Sequence, residues 1–404
     1  MRVGRVLLNV SVTPCELLME HEEVVYAVGD MVENVGQITN ALPEDPWDSS
    51  SSKPNDWKID WNEEDPRGNN WGLEAIQASS AWDYDNKFGH IDIGIVDSAF
   101  DVRHEDLKNK IQLVPDWMND INSSSENETK EHGTHVTGIL GAEANNKKGI
   151  TGIVWDSTVY GVSLADVNSE DTAFARVVAG LRYCVESGAK VVNFSLGLTG
   201  TFENGVFELS DEKMQKHGRT MAVIMQQLLQ EEHDFIAVQS SGNGTDSHTD
   251  PDQRIAIDAV NSGWFASVTS DKITLIDNRF SKKDILDRII IVGNAKRNED
   301  GNYQQHVSSN GGSRVDICAP GTEIYSTVPN NSYASVNWTG TSMSAPMVTG
   351  VAALVWSVNP NFDGMQVKEI VCAKRNTKYK VYDNPDGKHP LFDEYASAVC
   401  CSIK

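Results

Sequence analysis

Between residues 90 and 358, short continuous apolar runs alternate with longer stretches in which apolar positions recur every three or four residues. The first kind has the length of buried strands, the second the period of amphipathic helices. Strands are therefore expected at His90–Asp97, Thr158–Ser163, Lys190–Ser195, Phe235–Gln239, Ile289–Val292 and Arg314–Ile317. Helices are expected at His132–Ala144, Asp171–Ser187, Thr220–Glu232 and Thr341–Val358. The last is apolar nearly all round, as a helix with neighbours on every side must be. Strands alternating with helices imply an α/β, three-layer fold with a mostly parallel central sheet and helices on both faces.

Two β-like stretches, Arg5–Val12 and Glu23–Val28, stand apart from this block. Between them and it runs a segment from Leu42 to about Asn70, rich in Pro, Asp, Ser, Trp and Asn, with Ser49 to Ser52 consecutive. Such composition reads as a linker. The expected organisation is an N-terminal extension over 1–46, a linker over 47–70 and one large domain over 71–404.

Composition narrows the partners. The 404 residues include 34 Lys and Arg against 58 Asp and Glu, a net charge of −24. A surface that negative repels phosphate backbones and anionic lipid, so no nucleic-acid or membrane-surface partner is expected. Cys15, Cys184, Cys318, Cys372, Cys400 and Cys401 are too sparse for a disulfide scaffold and lack metal-ligand spacing. No run reaches the ~20 apolar residues of a membrane span; the nearest, Met347–Val358, is interrupted by Thr349, Gly350 and Ser357. Arg2 and Arg5 precede Val6-Leu7-Leu8, but Asn9 and Ser11 break the run, so no clear export signal is written there.

Three local patterns carry chemistry. Val96-Asp97-Ser98 ends an apolar strand in a carboxylate, Glu131-His132-Gly133-Thr134-His135 places a histidine among small residues, and Gly340-Thr341-Ser342-Met343-Ser344-Ala345-Pro346 opens a buried helix with a serine. A serine hydroxyl is a weak nucleophile until an imidazole takes its proton. The imidazole in turn needs a carboxylate to hold its tautomer and stabilise its charge. At a helix amino terminus, Ser342 lies in positive potential beside free N–H groups, which suits a developing oxyanion. Each pattern alone is weak, since strand-end aspartates usually cap or turn and lone histidines are usually structural. Together, in the order Asp, His, Ser, they form a triad constellation.

The chain resembles the subtilisin-like serine proteases, or subtilases. The three blocks match, as do Ser195-Leu196-Gly197, Ser241-Gly242-Asn243-Gly244 and Ala319-Pro320-Gly321, over roughly Trp71 to Pro360. The resemblance implies a serine endopeptidase needing no catalytic cofactor, with Asp97 orienting His132, His132 as general base and Ser342 as nucleophile. It implies that Asn243 donates its amide N–H to the oxyanion, and that Ser195, Leu196, Gly197 and Gly242 line the substrate site. It further implies a structural calcium held by Asp106 and Asn146 with carbonyls of Ala144, Lys148 and Ile150, although Lys147 and Lys148 weaken that expectation. A protein or peptide substrate, an inhibitory propeptide and secretion follow in the same way. His135 invites a zinc reading three residues after His132, but no third ligand accompanies it, so packing or bonding within its helix is expected instead.

The chain departs from the family pattern in several places. Ala99 stands where glycine is usual, His132 and Ser342 are 210 positions apart, and Thr199–Lys216 and Ser247–Asp287 read as insertions. Two other functions stay open at this point: a dedicated processing protease for one peptide, and a non-catalytic binding protein on the same fold.

Overall fold

A computed structural model describes Pro43, Asp45, Ser397, Ala398 and residues 71–372, with breaks at 83–87, 198–200, 204–205, 209–210, 245–255, 299–302 and 335–337. Contacts divide the chain into residues 1–40 with Lys404, and residues 41–403. All described residues fall in the second unit. The stretches Arg5–Val12 and Glu23–Val28, and the segment from Leu42 to Asn70 apart from Pro43 and Asp45, lie outside the described residues.

A nine-stranded sheet forms the middle layer. Across it the strands run Ser397–Ala398, Ile317–Pro320, Ile289–Arg297, Ile236–Ser240, Val191–Phe194, Ile91–Asp97, Ser157–Ser163 and Ile111–Leu113. All these pairs are parallel; among the described residues Tyr303–Gln305 alone adds antiparallel, to Ile289–Arg297. Burial on both faces explains why the central strands read as unbroken apolar runs rather than alternating ones.

Alternation along the Ile91–Asp97 strand sorts its side chains between two helical layers. On one face Gly94 lies under Cys184, and Gly180 leaves room for Val96, so the Glu170–Glu186 helix packs closely on the strand. On the other face Asp97 meets the Asn127–Gly141 helix, which packs against the Thr341–Val358 helix. The latter is long and apolar enough to cross a membrane, yet 94% of it is buried among the other elements. It is the central core helix of this layer.

The element boundaries differ from the sequence expectation in instructive ways. The Asn127–Gly141 helix begins five residues before His132, so the histidine lies in its second turn rather than opening it. Its first turn, Asn127-Glu128-Thr129-Lys130, is polar and leaves no apolar periodicity to read. The expected strand at Arg314–Ile317 is observed at Ile317–Pro320. Residues Gly312 to Val315 form a turn closed by the Val315 N–H to Gly312 carbonyl bond, which delays the strand. The Thr220 helix starts at Asp211, and the Ile289 strand runs on to Arg297.

Connections leave the Ile91–Asp97 and Val191–Phe194 strands toward opposite edges of the sheet. Ligands of open parallel sheets collect in the crevice at such a switch point, beyond the carboxyl ends of the strands. Asp97 and Ser195 lie at those two ends.

Candidate active site

Asp97 is fully buried, and its Oδ1 accepts hydrogen bonds from its neighbour's amide, Ser98 N, at 2.7 Å and from His132 Nδ1 at 2.7 Å. Because a carboxylate can only accept, His132 carries its proton on Nδ1, leaving Nε2 as the basic lone pair. Burial works against a charged imidazole, but the Asp97 charge and hydrogen bond outweigh it, holding His132 above the ordinary histidine value of 6.5. Gly133, next in the chain, is a packing requirement: a Cβ there would come within 2.4 Å of the Ala99 carbonyl oxygen. The helix can approach the turn after Asp97 this closely only without that side chain. Ala99 itself is fully buried and donates its N–H to the Thr129 carbonyl at 3.0 Å.

Ser342 is the second residue of its helix, where no carbonyl one turn earlier is available to its N–H. Its hydroxyl donates to the Ser195 carbonyl at 3.1 Å, and no hydrogen bond joins it to His132 in this arrangement. The Ser195 hydroxyl returns the contact, donating to the Ser342 carbonyl at 2.7 Å. That carbonyl is free because its helical partner four residues on is Pro346, which has no N–H. The proline's missing donor is thus felt at Ser342 itself, which bonds to the end of the neighbouring strand at both its hydroxyl and its backbone.

Asn243 sits on the turn after the Ile236–Ser240 strand. Its Oδ1 accepts from Thr341 N at 2.8 Å and from Thr341 Oγ1 at 3.0 Å. A backbone N–H can only donate, so these bonds fix the amide orientation and leave the Nδ2 protons available to a ligand. A Cβ on Gly340 would lie 3.0 Å from that Nδ2. Gly340 is in turn held by Gly321, whose carbonyl accepts its N–H at 2.8 Å, which accounts for the Ala-Pro-Gly block preceding the serine block. Gly242 has a positive φ of 94° and donates its N–H to Thr341 Oγ1 at 3.1 Å.

Ser195 is buried, Leu196 half-buried and Gly197 exposed, so the chain emerges into the crevice along this segment. Ser262 borders it: the position of a Cβ on Gly197 is 3.5 Å from the Ser262 side chain. Ser262 was not legible as a site residue, because the match to any pattern is poor between Gly244 and Trp264.

His135 turns away from this group. It bonds across to another element rather than within its helix, its Nε2–H shared between the carbonyls of Ile324 at 2.9 Å and Ala334 at 3.2 Å. Its ring stacks on Trp338 at 4.1 Å, and burial pushes its pKa down to about 3. It is a neutral structural histidine.

Asp106 and Asn146 do meet, but as hydrogen-bonding partners. Asp106 accepts from Asn146 Nδ2 at 2.8 Å, Ile150 N at 3.0 Å and the Tyr333 hydroxyl at 2.9 Å. The Asn146 oxygen is used by Lys148 N at 2.7 Å. Calcium needs six to eight oxygens converging at 2.3–2.6 Å, whereas here donors converge on the carboxylate. In this arrangement the set does not fit calcium. A second buried carboxylate, Asp45, organises the rest of the loop, accepting from Asn145 N at 2.7 Å, Lys147 N at 2.9 Å and Thr151 Oγ1 at 2.5 Å. Asp45 thereby ties residues ahead of the Trp71–Ala75 helix to the hydrogen bonding of this loop. Burial, reinforced by the charge of Asp45, pushes the Asp106 pKa up to about 6.

Comparisons with known proteins agree with this architecture. The profile of the subtilase family matches residues 89–388. Thermitase of Thermoactinomyces vulgaris is 30% identical over 311 residues, covering 77% of this chain and 88% of that protein. Subtilisin-like protease 1 of Plasmodium falciparum is 27% identical over 347 residues, 80% of this chain; the alignment spans 45% of that longer protein, less than half its length. Among solved structures, a cold-adapted subtilisin-like serine proteinase superposes with a TM-score of 0.51 at 21% identity, covering 74% of this chain and 85% of that one. With a parallel sheet of this order, and the family profile spanning most of the folded domain, the chain belongs to the subtilase family.

Proposed function

We propose that this chain is a serine endopeptidase that hydrolyses peptide bonds through an acyl-enzyme on Ser342. The observation that carries the reading is the 2.7 Å bond from His132 Nδ1 to the buried Asp97 carboxylate, which leaves Nε2 as a base in the crevice that Ser342 borders. On this reading the Ser342 hydroxyl must leave the Ser195 carbonyl and take His132 Nε2 as its acceptor before reaction. The hydroxyl oxygen then bonds to the scissile carbonyl carbon as its proton passes to Nε2. Negative charge develops on the carbonyl oxygen, where Asn243 Nδ2 and the Ser342 N–H donate. Collapse breaks the C–N bond, His132 returns the proton to the leaving amine, and water repeats the sequence to release the acid.

Substrate binds extended along Ser195-Leu196-Gly197 as an added strand, with Gly242 opposite, backbone hydrogen bonds giving affinity. Substrate class follows from this mode: protein or peptide segments able to adopt an extended form. The N-terminal segment before residue 47 is assigned on the same reading to an inhibitory propeptide remnant. No step passes through calcium, whose expected ligands Asp106 and Asn146 are committed to hydrogen bonds.

A peptide-library digest read by mass spectrometry tests the proposal and reports the cleavage preference. Cleavage by the native chain that disappears in Ser342→Ala is the expected result. Cleavage that persists in Ser342→Ala, or its absence from well-folded native protein, overturns it.

A further inference from the structure

Asn310 does not belong to the triad, the oxyanion donors or the substrate strand, yet it is buried (2% exposed) directly behind the Asn243 turn. Its backbone N–H donates to the Gly242 carbonyl at 2.9 Å, and its side-chain Oδ1 accepts from the Gly244 N–H at 2.8 Å. These two bonds grip the residues immediately before and after Asn243. Its carbonyl also accepts the Ser241 hydroxyl at 3.0 Å. The Oδ1 takes a second bond from Ile257 N at 3.2 Å, and Nδ2 donates to Ser262 Oγ at 3.2 Å. Every hydrogen-bonding group of Asn310 is therefore used, and most of the partners are on the turn or on the segment lining the substrate crevice.

The turn needs such a brace. Gly242 and Gly244 both have positive φ, 94° and 68°, so the backbone flanking Asn243 is held in a region where glycine samples many alternatives. Thr341 orients the Asn243 amide at its tip, but a side chain is no better placed than the backbone that bears it. Contact is tight on this side: a Cβ on Gly242 would fall 2.5 Å from Asn310 Nδ2 and 2.4 Å from Ser262 Oγ.

We propose that Asn310 is a positioning residue for the oxyanion site, holding the turn so that Asn243 Nδ2 meets the charge of the tetrahedral intermediate. The inference rests on the reading of Asn243 as an oxyanion donor. Asn310 acts chiefly through Asn243, so its loss weakens transition-state binding far more than ground-state binding along Ser195–Gly197.

The test is steady-state kinetics on a peptide amide and binding of a peptide boronic acid, which forms a tetrahedral adduct, for native protein, Asn310→Ala, Asn310→Asp, Asn243→Ala and the Asn310→Ala/Asn243→Ala double variant. Asn310→Ala is expected to lower kcat about 10- to 100-fold with KM nearly constant, and to weaken boronate binding in parallel. Asn310→Asp keeps the acceptor for the Gly244 and Ile257 N–H groups and is expected to retain more activity than Asn310→Ala. The double variant is expected to be no slower than Asn243→Ala to within about twofold, because the two residues act as one unit. Losses that multiply in the double variant, or a KM effect without a kcat effect, overturn the proposal. If Asn310→Ala does not fold, the same comparison between Asn310→Asp and its double with Asn243→Ala decides. An active native enzyme with multiplying losses sinks this inference alone. A native chain that hydrolyses nothing sinks the oxyanion reading and this inference with it.

Discussion

Which atoms hold protons decides what single residues can do in this crevice. Asp97 keeps His132 above the usual histidine range, and only neutral His132 can take the Ser342 proton. Activity must therefore be lost on acidification. The plot of kcat/KM against pH is expected to rise with an apparent midpoint above 6.5, and Asp97→Asn to cut kcat by about 10⁴-fold by removing the orienting charge and the correct tautomer. A native midpoint below the ordinary histidine value would mean that the Asp97–His132 pair does not govern the reaction. Asn243→Ala is expected to lower kcat about 100- to 1000-fold with little change in KM, read from the same assays. A loss confined to KM would place Asn243 in ground-state binding instead.

Elements put these atoms where they are, and the tightest tolerances are between elements. Alanine is ordinarily the better residue inside a helix by about 1 kcal/mol. At Gly133 the balance reverses, because the added Cβ would press on the Ala99 carbonyl at 2.4 Å with backbone on both sides. Gly133→Ala is expected to destabilise the protein by about 1–3 kcal/mol in urea unfolding, and to displace His132 enough to reduce kcat. A stability gain with full activity would show that the helix has slack against the Asp97 turn. Contacts between elements also mark what could be read in advance. Asp97, His132, Ser342 and Asn243 can be proposed from the sequence because each sits in a short pattern tied to one strand end or one turn. The start of the His132 helix did not, since its first turn is polar and nothing in its period distinguishes it from a loop. Asn310 was invisible for another reason: its role lies in partners 48 to 69 positions away in sequence, and an asparagine among serines and glycines reads as a turn.

Across the fold, Asp45 ties residues ahead of the Trp71–Ala75 helix to the loop over residues 145–151, and Asp106 braces the same loop from within the α/β block, both through buried carboxylates. The loop and Asp106 stand out in the sequence through the family resemblance, which implies calcium there. Asp45 is not legible in the sequence, because it lies in a stretch whose composition reads as a linker. Asp45→Ala removes a buried acceptor shared by two backbone N–H groups and the Thr151 hydroxyl, and is expected to cost about 2–4 kcal/mol in urea unfolding. No change would mean that the loop holds itself. For Asp106 the folded value of about 6 exceeds the ordinary 3.8, so the native state binds its proton more tightly than the unfolded chain does. The contribution of this group is thus fully favourable below about 4 and is lost as pH rises through 6. Relative to Asp106→Asn, the native protein is expected to gain up to about 3 kcal/mol between pH 7 and pH 4. A difference that is constant with pH would contradict that burial. Adding calcium or a chelator is expected to leave the Tm of the native protein unchanged, and a rise with calcium would mean that Asn146 and the neighbouring N–H groups turn away to admit the ion.

The parallel sheet order and the family profile describe a scaffold, and a scaffold alone does not cleave anything. The decisive question is whether Ser342 becomes nucleophilic, given that its hydroxyl points at the Ser195 carbonyl in this arrangement. Treating the native protein, Ser342→Ala and His132→Ala with a fluorophosphonate, then mapping the adduct by peptide mass spectrometry, answers it directly. The account predicts one covalent adduct per chain, on Ser342, absent from Ser342→Ala and strongly slowed in His132→Ala. Well-folded native protein left unlabelled, or labelled equally when His132 is gone, would contradict it.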